Sequence, residues 1–436
     1  MRPVVFLTRR PLTHGSLRFP SLKRTHRRRS DQSVSTVNSE PIISCYDWRM
    51  KERWSLYLHV PFCQTRCNYC DFVTSAKHVG LIAPYVDALC AEIAITSGRL
   101  IEREAVHSVY FGGGTPSLLT AAQTAKILGS IRMGFELADN AEITLEANPG
   151  DLTVERAGAL REMGINRLSI GMQSGHDDEL RLMGRRHTLA DTIRAVKIAR
   201  GAGFENLSLD LIFGYPTQSG ARWRESLELA CALGPDHLSL YALSIEAGTP
   251  LAGAIRGGKL AQLDDDLLAD RYDFAVDFLE RRGWTRYEIS NWSRSPEFES
   301  RHNKQYWKLD PYLGFGAAAH GFIAHSRTRN VLNTAAYLRR IDRAGQSRSA
   351  FPAAAEIRRQ SREDEMRDAM IFGLRLLREG VDLNRFADRF SVRAETVFAE
   401  FIGKHSAADR IIVADGRIRL NPRCAFVSNQ IFVDLI

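Results

Sequence analysis

His59-Val60-Pro61-Phe62-Cys63-Gln64-Thr65-Arg66-Cys67-Asn68-Tyr69-Cys70 spaces three thiols as C-x3-C-x2-C, directly after an apolar run at 56–60 that reads as the first strand. A structural zinc site needs four closed ligands, usually from C-x2-C pairs, and no fourth Cys or His stands nearby at a suitable spacing. Thiolates favour iron–sulfur clusters, and three of them on a four-iron cube leave one iron open to a small molecule. Cys63, Cys67 and Cys70 are therefore the candidate metal ligands. The remaining cysteines, Cys45, Cys90, Cys231 and Cys424, are scattered, and seven in 436 residues fit a reducing compartment better than a disulfide framework.

Outward from this loop, short apolar runs at 56–60, 106–111, 143–146, 167–170, 207–213 and 237–243 alternate with amphipathic patterns at 83–95, 121–131, 154–163 and 191–199. That alternation is the mark of βα repeats, and six strands predict an open, partial barrel. Gly164 and Gly201 stand where helices should stop. In such folds the working residues gather at the C-terminal ends of strands. Gly112-Gly113-Gly114-Thr115 follows the second strand, Glu146 ends the third, Gln173 follows the fourth and Asp210 lies in the fifth.

Three glycines after a strand are, alone, only a tight turn, although they also let a ligand approach the backbone closely. Together with the three-cysteine loop, and with Tyr69 just before its last Cys, they resemble the radical S-adenosylmethionine (SAM) superfamily. The resemblance implies a [4Fe-4S] cluster whose open iron is chelated by the amino and carboxylate groups of SAM. One electron entering the sulfonium would release methionine and a 5′-deoxyadenosyl radical. By motif, the SAM contacts implied are Tyr57, Gly113, Gly114, Thr115, Glu146, Gln173, Arg185 in Met-Gly-Arg-Arg-His, and Asp210 in Leu-Asp-Leu-Ile-Phe-Gly-Tyr-Pro. Carboxylates suit ribose or ammonium donors, and a guanidinium suits a carboxylate.

From residue 56 to the end, the chain is similar to the oxygen-independent coproporphyrinogen III oxidase-like family, which has two branches. The oxidases carry a further Cys two positions after the third ligand; here that position is Phe72, as in the HemW-type haem chaperones. The H-N-x-x-Y-W pattern at 302–307, associated with haem in that branch, makes His302, Tyr306 and Trp307 implied haem contacts. A neutral imidazole at His302 could ligate iron while the two aromatics cover the porphyrin. His320 is a second candidate ligand, and Gly175 departs from relatives that place an aromatic there. The expected function is a chaperone that binds haem and passes it to acceptor proteins, served by an electron donor such as flavodoxin or ferredoxin. The alternative is oxidative decarboxylation of coproporphyrinogen III. Dimerisation is left open.

The net charge of +8 is mostly a terminal effect. Residues 1–49 hold ten basic and three acidic residues, leaving 49 and 48 over 50–436, so a nucleic-acid partner is not expected. The extension, rich in Arg, Ser and Thr, reads as disordered: either an organelle transit peptide or codons upstream of a true start at Met50, the latter favoured because the first strand follows so closely. The expected location is cytoplasmic, or mitochondrial with a genuine transit peptide. No stretch approaches the ~18–20 uninterrupted apolar residues of a spanning helix.

Residues 50–250 are read as the barrel, 251–342 as a connecting region of loops and helices carrying the haem motif, and 343–364 as a linker. Residues 365–436 read as a winged-helix-like α+β unit. Its signals are the stripe Met366, Met370, Leu374 and Leu377 stopped by Gly380, helical patterns at 383–390 and 394–402, and Asp415-Gly416 between two short strands. Basic and acidic residues balance at 12 each over 361–436, which speaks against DNA binding by this unit.

Overall fold

Period-two alternation gives strand β1 (Trp54–Val60) two unlike faces. Trp54, Leu56, Leu58 and Val60 join the main apolar core, while Ser55, Tyr57 and His59 are buried on the other side. The split recurs through β2 (Val106–Gly113), β3 (Leu137–Ala147), β4 (Arg167–Gln173), β5 (Asn206–Phe213) and β6 (His237–Ala242). These six strands pair in sequence order and in parallel, so their apolar faces lie under the connecting helices and their polar faces line the barrel interior. The computed structural model describes residues 53–100 and 104–436; Cys45 and the 1–49 extension lie outside them.

The covering helices are α1 (Ile82–Arg99), α2 (Ala121–Gly134), α3 (Val154–Glu162), α4 (Asp177–Leu182), α5 (Leu189–Gly201) and α6 (Gly220–Ala232). Thr120 and Thr188 form capping boxes with Gln123 and Asp191, which starts α5 at 189, earlier than the apolar pattern suggests. Gly164 does end α3 with φ +92°, but Gly201 is still helical and the left-handed stop after α5 is Gly203. Val79–Arg99, though interrupted by Asp87 and Glu92, is apolar enough by length and composition alone to cross a membrane. One face of it packs against the barrel: Leu89 and Ile93 are fully buried, and Glu92 accepts a 2.7 Å hydrogen bond from the Tyr337 hydroxyl.

Residues 251–342 are more regular than expected. After α7 (Pro250–Arg256) and α8 (Asp265–Glu280) come β7 (Thr285–Glu288), β8 (Asn291–Ser293), α9 (Arg301–Trp307), β9 (Tyr312–Phe315), β10 (His320–Ile323), β11 (Ser326–Asn330) and α10 (Thr334–Asp342). β9 pairs in parallel with β1, and β8 pairs antiparallel with β6, so the sheet grows at both edges. The stretch 343–364 is not a plain linker. It contains β12 (Ala354–Arg359), which closes a twelve-stranded sheet in the order β12-β11-β10-β9-β1-β2-β3-β4-β5-β6-β8-β7. An edge strand needs no apolar face, and only Ala354 of β12 is buried, which is why its sequence looks like a polar connection.

The C-terminal unit follows its sequence pattern except in its first helix, which stops at Gly373 rather than running to Gly380. It comprises α11 (Arg362–Gly373), β13 (Val381–Asp382), α12 (Leu383–Phe390), α13 (Ala394–Val397), α14 (Ala399–Ala407), β14 (Ile411–Ala414), β15 (Arg417–Leu420) and α15 (Ser428–Phe432). Met366, Met370, Leu374 and Leu377 are all buried, and Asp415 and Gly416 both take positive φ in the β14–β15 turn. The pattern at 394–402 breaks at Phe398 into two helices.

Candidate functional site

The three-cysteine loop leaves the C-terminal end of β1 and is tied down on both sides. Cys63 donates its N–H to Ser75 O (3.1 Å), and Asn68 links the loop to Met183 O and to the Leu251 N–H (3.1 and 3.0 Å). All three thiols face one cavity of about 630 Å³. Burial pushes the Cys63 and Cys70 thiols up, while the Thr115 hydroxyl points at Cys63 Sγ (3.5 Å) and Arg185 Nη1 at Cys67 Sγ (3.7 Å). Donors aimed at sulfur favour thiolate, and hydrogen bonds to ligand sulfurs tune iron–sulfur sites. The donor set therefore suits a thiolate-held cluster. Among the described residues no three His, Cys, Asp or Glu side chains converge as ligands of a single ion, but thiolates on separate irons of a cube need not converge.

The strand ends behave as their positions require. Gly113 has φ +113°, and a Cβ there would fall 2.6 Å from the His59 ring; a Cβ on Gly114 would lie 2.6 Å from the Phe62 carbonyl oxygen. Only glycine lets the turn after β2 pass beneath the cysteine loop. Glu146 accepts from the Tyr110 hydroxyl (2.8 Å) and the Gly113 N–H (3.2 Å), while Asp210 accepts from Ser169 Oγ (3.0 and 2.9 Å). Burial, then the charge of Glu146, raises the Asp210 carboxyl. Gln173 takes φ 64° where the β4–β5 register shifts, a strained backbone at the cavity edge. Arg185 is held by Asn148 Oδ1 (2.9 Å) and Gly171 O (3.1 Å), with its Nε unpartnered.

The cavity thus unites Gly113, Gly114, Thr115, Glu146, Gln173, Arg185 and Asp210 with the cysteines, but not Tyr57. Tyr57 lies one layer deeper in the barrel, its hydroxyl 3.1 Å from His59 Nδ1 and its ring stacked on Tyr110, so it supports the glycine turn from behind. At Gly175 the N–H donates to Ser226 Oγ (3.0 Å), and a Cβ would fall 2.8 Å from Leu229; α6 packs where a side chain would stand.

Helix α9 carries the H-N-x-x-Y-W pattern and plugs the barrel interior. Glu142 on β3 accepts from the Arg301 and His302 N–H groups at its first turn. His302 is fully buried, with Nδ1 2.9 Å from Ser108 Oγ and Nε2 2.7 Å from the Tyr306 hydroxyl, and its ring stacks on Tyr110. Burial, followed by the charges of His107 and Arg167, pulls its pKa well down. Both nitrogens are engaged and neither reaches the cavity, so His302 as placed cannot serve as an iron ligand; period and packing send its side chain into the barrel. Asn303, Tyr306 and Trp307 do line the cavity. His320 does not, and burial, aided by Arg329 and Arg327, lowers its pKa to about 4.

Sequence reasoning missed the far wall. Glu288 and Asn291 come from β7 and β8, and Ile371, Phe372, Arg375 and Phe432 come from the C-terminal unit. Ion pairs join α9 to that unit: Lys304 bridges Glu299 (2.5 Å) and Glu379, Lys308 reaches Glu379 (2.7 Å), and Arg378 reaches Glu299 (2.6 Å).

Residues 57–230 match the Radical SAM superfamily, and 360–427 match the HemN C-terminal domain. The chain is 37% identical to the heme chaperone HemW of Mycobacterium tuberculosis, over 84% of this chain and 92% of that protein. It is 33% identical to the heme chaperone HemW of Bacillus subtilis, over 87% and 98%. The structure of coproporphyrinogen III oxidase (HemN) from Escherichia coli, described as a radical SAM enzyme, superposes with a TM-score of 0.75 at 22% identity, covering 89% of this chain and 91% of that one.

Proposed function

Since the chain belongs to the HemW family of heme chaperones, we propose that it binds haem beside a [4Fe-4S] cluster and SAM, and delivers the haem to acceptor proteins. The observation that carries this reading is that the cysteine loop and the α9 residues Asn303, Tyr306 and Trp307 face each other across one cavity. Cys63, Cys67 and Cys70 would hold the cluster, which when bound supplies one electron at a time. Thr115 and Arg185 orient and stabilise the thiolates. Glu146, Asp210 and the Gly113-Gly114 turn would hold SAM, with Gln173 at its edge. Tyr306 and Trp307 offer aromatic surface to the porphyrin, and Phe72 keeps apolar the corner where the oxidases carry Cys. A flavodoxin- or ferredoxin-like donor would supply electrons. The cytoplasm is the expected place of action, or the mitochondrion if residues 1–49 are a transit peptide.

The test is an anaerobic titration of haem into the cluster-reconstituted full chain, followed by absorbance, beside an assay with SAM, reductant and coproporphyrinogen III. Stoichiometric haem binding without decarboxylation is the expected result. Turnover of coproporphyrinogen to protoporphyrinogen would replace the chaperone with the oxidase.

A further inference from the structure

Trp307 and Arg375 meet on the cavity wall farthest in sequence from the cysteine loop. The Arg375 Cζ lies over the Trp307 ring, 4.4 Å from its centroid, a cation–π contact. Among the described residues this guanidinium makes no hydrogen bond or ion pair to the protein, and its Nε is buried without a partner. Trp307 Nε1 and Asn303 Oδ1, on the same wall, are also buried and unpartnered. The acid whose charge acts on Arg375 is Glu288, whose Oε1 accepts from Asn291 and from the Ser290 N–H while its Oε2 is buried with no hydrogen-bond donor. Burial pulls the Arg375 pKa down and the charge of Glu288 opposes that, yet an arginine stays ionised in a protein.

An enclosed guanidinium that an acid balances in charge but no acceptor hydrogen-bonds is costly until an anionic acceptor completes it. The other three arginines that line the cavity are already engaged: Arg66 with Cys70 O, Arg185 with Cys67 Sγ and Asn148, and Arg186 with Asp151. Phe372 and Phe432 flank the Arg375 side with apolar surface. We propose that Arg375, held by Trp307, is the anchor for a carboxylate of the second ligand, a propionate of the tetrapyrrole, which places the C-terminal unit in the binding site. This rests on the haem-binding reading above and adds the group that is recognised.

The test compares haem with haem dimethyl ester, in which both propionates are uncharged, on the reconstituted full chain of wild type, Arg375→Gln and Arg375→Lys. A charge-assisted, bidentate contact should favour haem over the ester by about tenfold or more in wild type. Arg375→Gln should bring the two ligands to equal affinity, and Arg375→Lys should restore part of the preference, which also shows that the charge rather than the fold was lost. A preference that persists undiminished in Arg375→Gln overturns the assignment of Arg375 while haem binding stands. A loss of SAM affinity in Arg375→Gln equal to the loss for haem also overturns it, because the residue would then serve the nucleotide side. Failure of wild type to bind either porphyrin overturns the haem reading itself, and this inference with it.

Discussion

His302 Nε2 lies 2.7 Å from the Tyr306 hydroxyl, one helical turn along α9, inside the barrel and away from the cavity that Tyr306 reaches. The pair turns half of a ligand-like motif into a brace for the other half. Replacing His302 by Ala would leave the Tyr306 hydroxyl without a partner, reduce Ser108 to its 2.6 Å bond with Ser55, and open a void. We expect a loss of about 2–4 kcal/mol in urea unfolding. The visible spectrum of haem bound to the surviving folded fraction should keep the wild-type ligation pattern. A stable variant that has lost that pattern would mean the ring swings into the cavity.

Cys63, Cys67 and Cys70 should each be required for the cluster. A Ser at any of them should strip iron, sulfide and visible absorbance from anaerobically reconstituted protein. Ser at Cys90, Cys231 or Cys424, which do not line the cavity, should leave all three signals intact.

Gly114→Ala places a methyl 2.6 Å from Phe62 O and 2.9 Å from Val60 O, both backbone atoms that cannot step aside. The cost should be about 1–3 kcal/mol, with weaker SAM binding by calorimetry as the cysteine loop shifts. Gly98→Ala, in α1 with nothing within 4 Å, should be neutral or stabilising by about 0.5–1 kcal/mol.

Glu379 should make the junction of α9 with the C-terminal unit sensitive to acid. Burial resists its ionisation, but Lys308 and Lys304 outweigh burial and hold its carboxyl down at about 2. Because the folded value lies below the unfolded one, its stabilisation is fully present above about pH 4.5 and is lost as pH falls towards 2. The side chain is one-third exposed, so screening reduces the contribution to about 1–2 kcal/mol. In urea unfolding, the advantage of wild type over Glu379→Gln should be constant from pH 7 to 5 and shrink from pH 4.5 to 3.

The strands with a clear period were legible in the sequence, whereas the C-terminal stripe read as one helix up to Gly380 ends as a helix at Gly373, with Leu374 as its cap and Leu377 in the turns beyond. What escaped were elements whose partners are remote. β8 is three residues long and is a strand only because β6 and β7 flank it; β12 has one buried residue and is a strand only because it pairs with β11. Tyr57 matches a SAM-contact motif, yet its layer in the barrel is set by its neighbours Tyr110 and His59, which no motif records.

By itself, therefore, the sequence determined which groups are available: three thiols in one loop, a glycine turn, carboxylates at strand ends and aromatic residues on α9. Those depend on residue type and on spacing along a single turn or strand. Tertiary structure alone decided which side chains reach the cavity, turning His302 inward and bringing Arg375 onto Trp307. Burial is a property of packing between segments, and β1 meets β9 across some 250 residues that no local pattern spans.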